Sequence, residues 1–189
     1  MKKFREKIMS INLWLFYVIG YGIAMAFQIW ANKKRGEPFE DPELLFSEKK
    51  LFLISMIWLF GGFAISLFVP VNFKLQFYFG LIFCIIGLII VLATFYSFAQ
   101  KPGLATTRIH RYSRNPNYIG WIIFYFGLSL IGWSLSIWSI MFFIYFLITI
   151  PYLHWCVLKE EKFLSNKYGN TYKDYLKNTP RYLGKPKKK

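Results

Sequence analysis

Negative charge is scarce in this sequence. Its 189 residues include 9 Asp and Glu against 24 Lys and Arg, a net charge of +15, and charged residues make up only 17% of the chain. An ordinary soluble domain carries nearer ~25% charge, so that class is excluded. Cysteine is almost missing, at 2 residues, which excludes a disulfide scaffold. With only 13 glycines a collagen-like repeat is excluded too. What is abundant is apolar: 56% hydrophobic and 22% aromatic residues, with a mean hydropathy of +0.35. Apolar content this high offsets chain entropy and excludes disorder. An integral membrane protein with basic flanks remains. Cys84 and Cys156 lie in or at the end of apolar runs, without a Cys or His at metal-ligand spacing, and read as packing residues.

A bilayer core of about 30 Å needs ~20 apolar residues in a helix. Candidate spans are Ser10 to Ala31, Leu51 to Pro70 and Phe77 to Ala99. Asn117 to Val157 then runs 41 residues without a formal charge, too long for one crossing and suited to two. The turn is expected near Gly132 to Ser136, and Pro151 should kink the later helix. The sequence therefore predicts an all-α bundle of about five transmembrane helices, because lipid cannot satisfy free backbone amides. The first span is longer than the 7–15 residues of a signal core and lacks a small-residue cleavage site, so it reads as a permanent helix.

With five spans, one face carries 5 Lys and Arg and the other 19. The positive-inside rule puts the second face in the cytoplasm, with the C-terminal tail. Lys2, Lys3, Arg5 and Lys7 then fall outside, against the rule; the conflict vanishes if one of the first three spans does not cross. Asn32 to Lys50, with 5 basic and 5 acidic residues, reads as a solvated connector. Lys185, Lys187, Lys188 and Lys189 read as an anchor on anionic lipid. The basic residues flank apolar spans, which favours membrane over nucleic acid as the partner. Residues 1–100 are expected to form the first three helices and 101–189 the functional core, with no obligate protein partner evident.

Two polar segments bracket the final hairpin. In the first, Lys101 to Asn117, the residues Arg108, His110, Arg111 and Arg114 crowd together. Gly103 and Pro116 forbid one continuous helix there. Asn115 should be extended before proline, and Pro116 should start the next helix. Asn117 and Tyr118 would then point back to the loop. Cations and free amides suit an anionic group, although an ordinary positive-inside loop carries the same charges. In the second segment, Glu160 and Glu161 follow the last apolar run. Carboxylates there are costly unless paired, so one could meet an Arg of the first loop, and one could accept from ribose hydroxyls or an ammonium. Leu164, Tyr168, Tyr172 and Tyr175 recur at helical steps, one face of an amphipathic helix. Gly169, Asn170 and Thr171 should break that helix in two, and Pro180, Arg181 and Tyr182 should end the ordered tail.

Arg114-Asn115-Pro116-Asn117-Tyr118-Ile119-Gly120 resembles the R-H-P-x-Y-x-G loop of the isoprenylcysteine carboxyl methyltransferase and phospholipid methyltransferase superfamily. Glu160-Glu161-Lys162-Phe163-Leu164, then Tyr168-Gly169, Tyr172, Tyr175 and Pro180-Arg181, resembles the tail of the same proteins. The resemblance covers about Lys101 to Leu183. It implies a membrane enzyme using S-adenosylmethionine at the cytosolic end of the bundle. By motif position the cofactor contacts would be Leu104, Ala105, His110, Asn115, Pro116, Asn117, Tyr118 and Glu160, with Arg114 and Glu161 in the same network. Departures are Asn115 for a common His, His110 for a common Tyr and Arg108 for a frequent Gly. Cys156 stands where the isoprenylcysteine enzymes place an Arg linked to their carboxylate substrate. A phospholipid amine is thus the first choice of lipophilic acceptor, ahead of an isoprenylcysteine carboxylate or a small thiol.

Methyl transfer is an in-line displacement that needs alignment and exclusion of water, not a protein nucleophile. The sequence accordingly shows no Ser-His-Asp set, Cys nucleophile or metal cluster, and it leaves the catalytic residues unassigned. Two alternatives stand beside this reading. Membrane sterol reductases share an R-H-P-N-Y loop and use NADPH, but typically have Glu where this chain has Trp121. A non-enzymatic membrane protein of the same fold is the other.

Overall fold

The computed structural model describes residues 11–36, 38, 39, 49–100 and 102–184. Among them the chain is helical, with one isolated bridge between Asn12 and Pro70. Five α-helices follow in order: α1 Trp14–Arg35, α2 Lys49–Ser66, α3 Leu75–Phe98, α4 Pro116–Ile131 and α5 Ile137–Asn178. A short 3-10 turn, Arg108–Arg111, precedes α4. The uncharged stretch divides between Ile131 and Ile137, and Ser136 caps α5 by accepting a hydrogen bond from the Ser139 amide. The Lys2, Lys3, Arg5, Lys7 and Lys185–Lys189 clusters, and most of the connector after Gly36, lie outside the described residues.

α1, α3 and α5 are long and apolar enough to cross a membrane; Phe52–Ser66 of α2 and α4 are apolar but shorter. Large apolar side chains such as Ile29, Ile57, Phe60 and Ile89 point outward, the surface expected of a lipid-facing protein. Hydroxyls inside such a bundle must find partners. Tyr17 donates to the Leu59 carbonyl at 2.9 Å and Tyr145 to that of Trp58 at 2.9 Å. Tyr125 joins them, 3.2 Å from the Tyr17 hydroxyl and hydrogen-bonded to Tyr21.

α3 and α4 pack backbone against backbone. A Cβ on Gly127 would lie 2.6 Å from the Cys84 amide nitrogen and 2.6 Å from the Gly80 carbonyl. Gly87 and Gly120 meet in the same way one heptad along. Small residues let two backbones touch where water cannot drive association. Cys84 is buried in this seam and Cys156 is buried on α5, as packing residues should be.

The two ends of the bundle are tied separately. At one end the Leu13 amide donates to the Val69 carbonyl at 2.9 Å, and Phe68 stacks on Trp138 at 4.6 Å. At the other, Arg35 donates to the Phe98 carbonyl at 3.0 Å and its guanidinium lies 3.7 Å from the Phe98 ring centre. That second end carries the loop before α4 and the far half of α5.

α5 runs on past its charge-free part and is divided by a kink at Gly169, so the tail is a second helical segment, as the Gly169-Asn170-Thr171 break leads one to expect. The departure from helical dihedrals falls at Gly169 (φ 53°, ψ −125°), whereas Pro151 sits within the helix. A left-handed φ favours glycine, which has no Cβ to clash.

Candidate functional site

Pro116 opens α4 at its first turn, and Asn115 before it is non-helical (φ −126°, ψ 54°) but short of the fully extended conformation expected before proline. This places Asn115, Asn117 and Tyr118 at the helix mouth. Gly103 takes a left-handed φ of 82° and turns the loop across the bundle end. Arg108 has a φ of 55°, unusual for a residue with a side chain, at the position where the resemblance has glycine.

Arg114 stitches loop to tail. Its Nε and Nη2 donate to Glu161 Oε1 at 3.2 and 3.0 Å. Its Nη1 donates to the Leu176 and Thr179 carbonyls at 2.8 and 2.9 Å. Asn115 Nδ2 also donates to Glu161 Oε1, at 3.1 Å, and Arg181 Nε donates to Oε2 at 3.0 Å. Both Glu161 oxygens are therefore engaged. Burial alone would raise this carboxyl, but the bonds from Arg181 and Asn115 and the charge of Arg114 outweigh it and hold it below the usual range. The segment after Asn178 is a strap as well as an end: the Arg114 amide donates to the Pro180 carbonyl at 3.0 Å and the Gly184 amide to that of Tyr112 at 3.2 Å.

Glu160, one position earlier, faces elsewhere. Tyr118 Oη donates to its Oε2 at 2.8 Å. Glu160 lines two adjoining cavities of about 360 and 330 Å³. The first runs into the bundle past Asn117, Tyr118, Trp121, Tyr125, Tyr152 and Cys156. The second lies under the tail, between Leu104, Ala105 and the face Leu164, Tyr168, Tyr172 and Tyr175. His110 and Arg114 also border both.

Two buried polar atoms here have no partner: His110 Nε2 and Asn117 Oδ1. Unsatisfied groups of this kind are rare in the interior, so both atoms are open to a partner from outside the chain. Burial, partly opposed by a hydrogen bond with the Arg114 backbone, pushes the His110 imidazole down to about 4, so it is neutral near pH 7. Tyr175 Oη holds the His110 carbonyl at 2.7 Å.

The model of one family, described as phospholipid methyltransferase, matches residues 75–171, about half the chain. The chain belongs to that family. Membership implies a membrane methyltransferase. No curated protein and no solved structure matches the chain. The family match begins at Leu75, so it takes in α3 as well as the two motif segments.

Of the residues singled out from the sequence of this methyltransferase, Leu104, Ala105, His110, Arg114, Asn115, Pro116, Asn117, Tyr118 and Glu160 all line one or both cavities. Glu161 lines neither. Sequence reasoning gave no site role to Arg181, which completes the Glu161 network, or to Tyr21 and Tyr152, which wall the inner cavity. Arg181 was visible in the Pro-Arg motif. The tyrosines carried no signal distinguishing them from ordinary lipid-facing aromatics. Among the described residues no group of His, Cys, Asp and Glu could hold a metal ion.

Proposed function

We propose that this protein transfers a methyl group from S-adenosylmethionine to an amine carried by a lipid, a phospholipid amine being the first choice. The observation that carries the reading is the pair of unpartnered buried atoms, His110 Nε2 and Asn117 Oδ1, on residues that line the inner cavity together with Glu160. Asn117 Oδ1 is an acceptor only, and Glu160 is an acceptor when ionised. They suit a donor-rich cation such as an ammonium. The S-adenosylmethionine fits this donor set: it has an ammonium, ribose hydroxyls and an adenine amino group, and it supplies a methyl on a sulfonium.

In this reading Leu104, Ala105, His110 and the face Tyr168, Tyr172 and Tyr175 hold the nucleoside end under the tail. Glu160, Asn117 and Tyr118 orient the reacting end, and Asn115 and Pro116 set the position of Asn117. Arg114 and Glu161 are positioning residues, since their charges are spent on each other. The same point argues for an amine. Among the described residues, an acceptor carboxylate entering the inner cavity would meet no cation but Arg114, already bound to Glu161 and two carbonyls, and Cys156 occupies the motif's arginine position. The inner cavity, with its aromatic walls, excludes water from the reacting atoms.

Taking five crossings, we also infer that the site end of the bundle lies in the cytoplasm, from the 19 to 5 distribution of Lys and Arg that this arrangement gives. The test of function is incubation of native membranes with radiolabelled S-adenosylmethionine, followed by lipid extraction. Label in an amine-bearing lipid, lost in Glu160→Gln, is the expected result. Label in protein alone would overturn the lipid acceptor, and saturable binding of NADPH without binding of S-adenosylhomocysteine would favour a reductase instead.

A further inference from the structure

On the surface between α1 and α3, outside the lining of both cavities, two cations lie over the Tyr96 ring, and one of them also over Trp30. The rings of Trp30 and Tyr96 lie parallel, with an interplanar angle of 2° and centroids 6.4 Å apart. Lys34 Nζ is 5.2 Å from the Trp30 centroid and 5.9 Å from that of Tyr96. Arg108 Cζ is 4.9 Å from the same Tyr96 centroid. All four residues are exposed. No acidic side chain among the described residues pairs with Lys34 or Arg108.

Like charges gathered on one ring repel, and Arg108 holds its place with a φ of 55°. A non-glycine residue kept in that region costs free energy. An anion between the two side chains would relieve the repulsion. We propose that Lys34 and Arg108 bind the phosphate of an anionic phospholipid headgroup over the Trp30–Tyr96 pair. A guanidinium and an ammonium are the donors that phosphate recognition uses.

The surroundings select a lipid over a soluble phosphate. Exposed Ile19 and Ile23 lead along α1 to Trp30, and exposed Ile82, Ile85 and Ile89 lead along α3 to Tyr96. These steps of three, four and seven keep each set on one helix face. Acyl chains would cover the two apolar stripes, and the headgroup would sit where they end in aromatic rings and positive charge. Tyrosine and tryptophan belong at that depth of a bilayer. The site is distinct from the methyl-transfer centre and does not depend on it.

The test is native mass spectrometry of protein purified in detergent with equal amounts of phosphatidylglycerol and phosphatidylcholine. Wild-type protein is expected to retain phosphatidylglycerol by a factor on the order of tenfold over phosphatidylcholine, and Lys34→Gln with Arg108→Gly to bring the ratio near one. Glycine adopts the Arg108 backbone conformation freely, so this variant keeps the loop. The exposed single change Lys34→Gln should lower the ratio by about threefold, and it tests the site even if the double variant fails to fold. Equal retention of both lipids by wild type, or a ratio unmoved in the variants, would overturn the proposal. Loss of phosphatidylglycerol on adding millimolar inorganic phosphate would overturn the choice of a lipid over a soluble anion.

Discussion

Arg114 and Glu161, 47 positions apart in the chain, form a buried ion pair at 3.0 Å that joins the loop before α4 to the far half of α5. Leaving a buried charge wholly unpaired costs about 3–5 kcal/mol; without Arg114, Glu161 keeps Arg181 and Asn115, which places the cost at or below the lower end of that range. Arg114→Ala should therefore lower the thermal unfolding midpoint and loosen the strap. Limited proteolysis after Asn178, faster in the variant than in wild type, checks this.

Glu160 should respond in the opposite way. It borders the cavities and lies outside the Glu161 network, so Glu160→Gln is expected to leave the unfolding midpoint nearly unchanged. Loss of a charged hydrogen bond to a ligand costs about 1.5–3 kcal/mol, so binding of S-adenosylhomocysteine should weaken by roughly tenfold to a hundredfold. Calorimetry on the pair Glu160→Gln and Glu161→Gln separates ligand contact from framework. Equal behaviour of the two variants would refute the assignment.

Acid should destabilise the fold in two stages. His110 is held at about 4 in the folded chain, against 6.5 when unfolded. The unfolded chain thus takes the proton first, so the stability contribution of this group is full above pH 6.5 and is lost as pH falls to about 4. The loss is on the order of 3 kcal/mol. Glu161 also has a lowered pKa, so its contribution is present above about 4.5 and is lost as pH falls further. Unfolding midpoints from pH 8 to 4 should decline below 6.5, and His110→Gln should remove the upper part of that decline.

The α3–α4 seam should tolerate no side chain. In Gly127→Val the new Cβ would meet backbone atoms of Gly80 and Cys84 at 2.6 Å, which only separation of the helices relieves. Overpacking against backbone should cost more than about 3 kcal/mol. Gly22→Ala, on an open face of α1 with nothing within 4 Å, is the control and should be tolerated. Detergent-solubilised yield and unfolding midpoint measure both.

Much of this was legible in the chain. The run Asn117–Val157 divides where Gly132 and the serines suggest, because charge-free length and turn residues act locally. The face Leu164, Tyr168, Tyr172 and Tyr175 does line a cavity, because helical spacing fixes which side chains share a side. The residues alone did not separate the roles of Glu160 and Glu161; only the family resemblance put Glu160 on the cofactor. Adjacent identical residues on a helix point about 100° apart, and only the tertiary position of Arg114 shows which one is consumed. The return of Pro180–Gly184 to the loop was also hidden, since it rests on backbone hydrogen bonds that any side chains can make. Likewise, the hydroxyl network of Tyr17, Tyr21, Tyr125 and Tyr145 depends on three helix faces meeting, which no single periodicity records.

The shortness of α4 has a consequence for how an acceptor arrives. Its 16 residues reach only about 24 Å, less than the ~30 Å of a hydrocarbon core. In the five-crossing arrangement taken above, such hydrophobic mismatch is met by thinning the leaflet around a short helix. The mouth at Asn115 is then sunk below the plane of the surrounding headgroups. A lipid would reach the methyl donor by sideways diffusion, without being lifted out of the membrane.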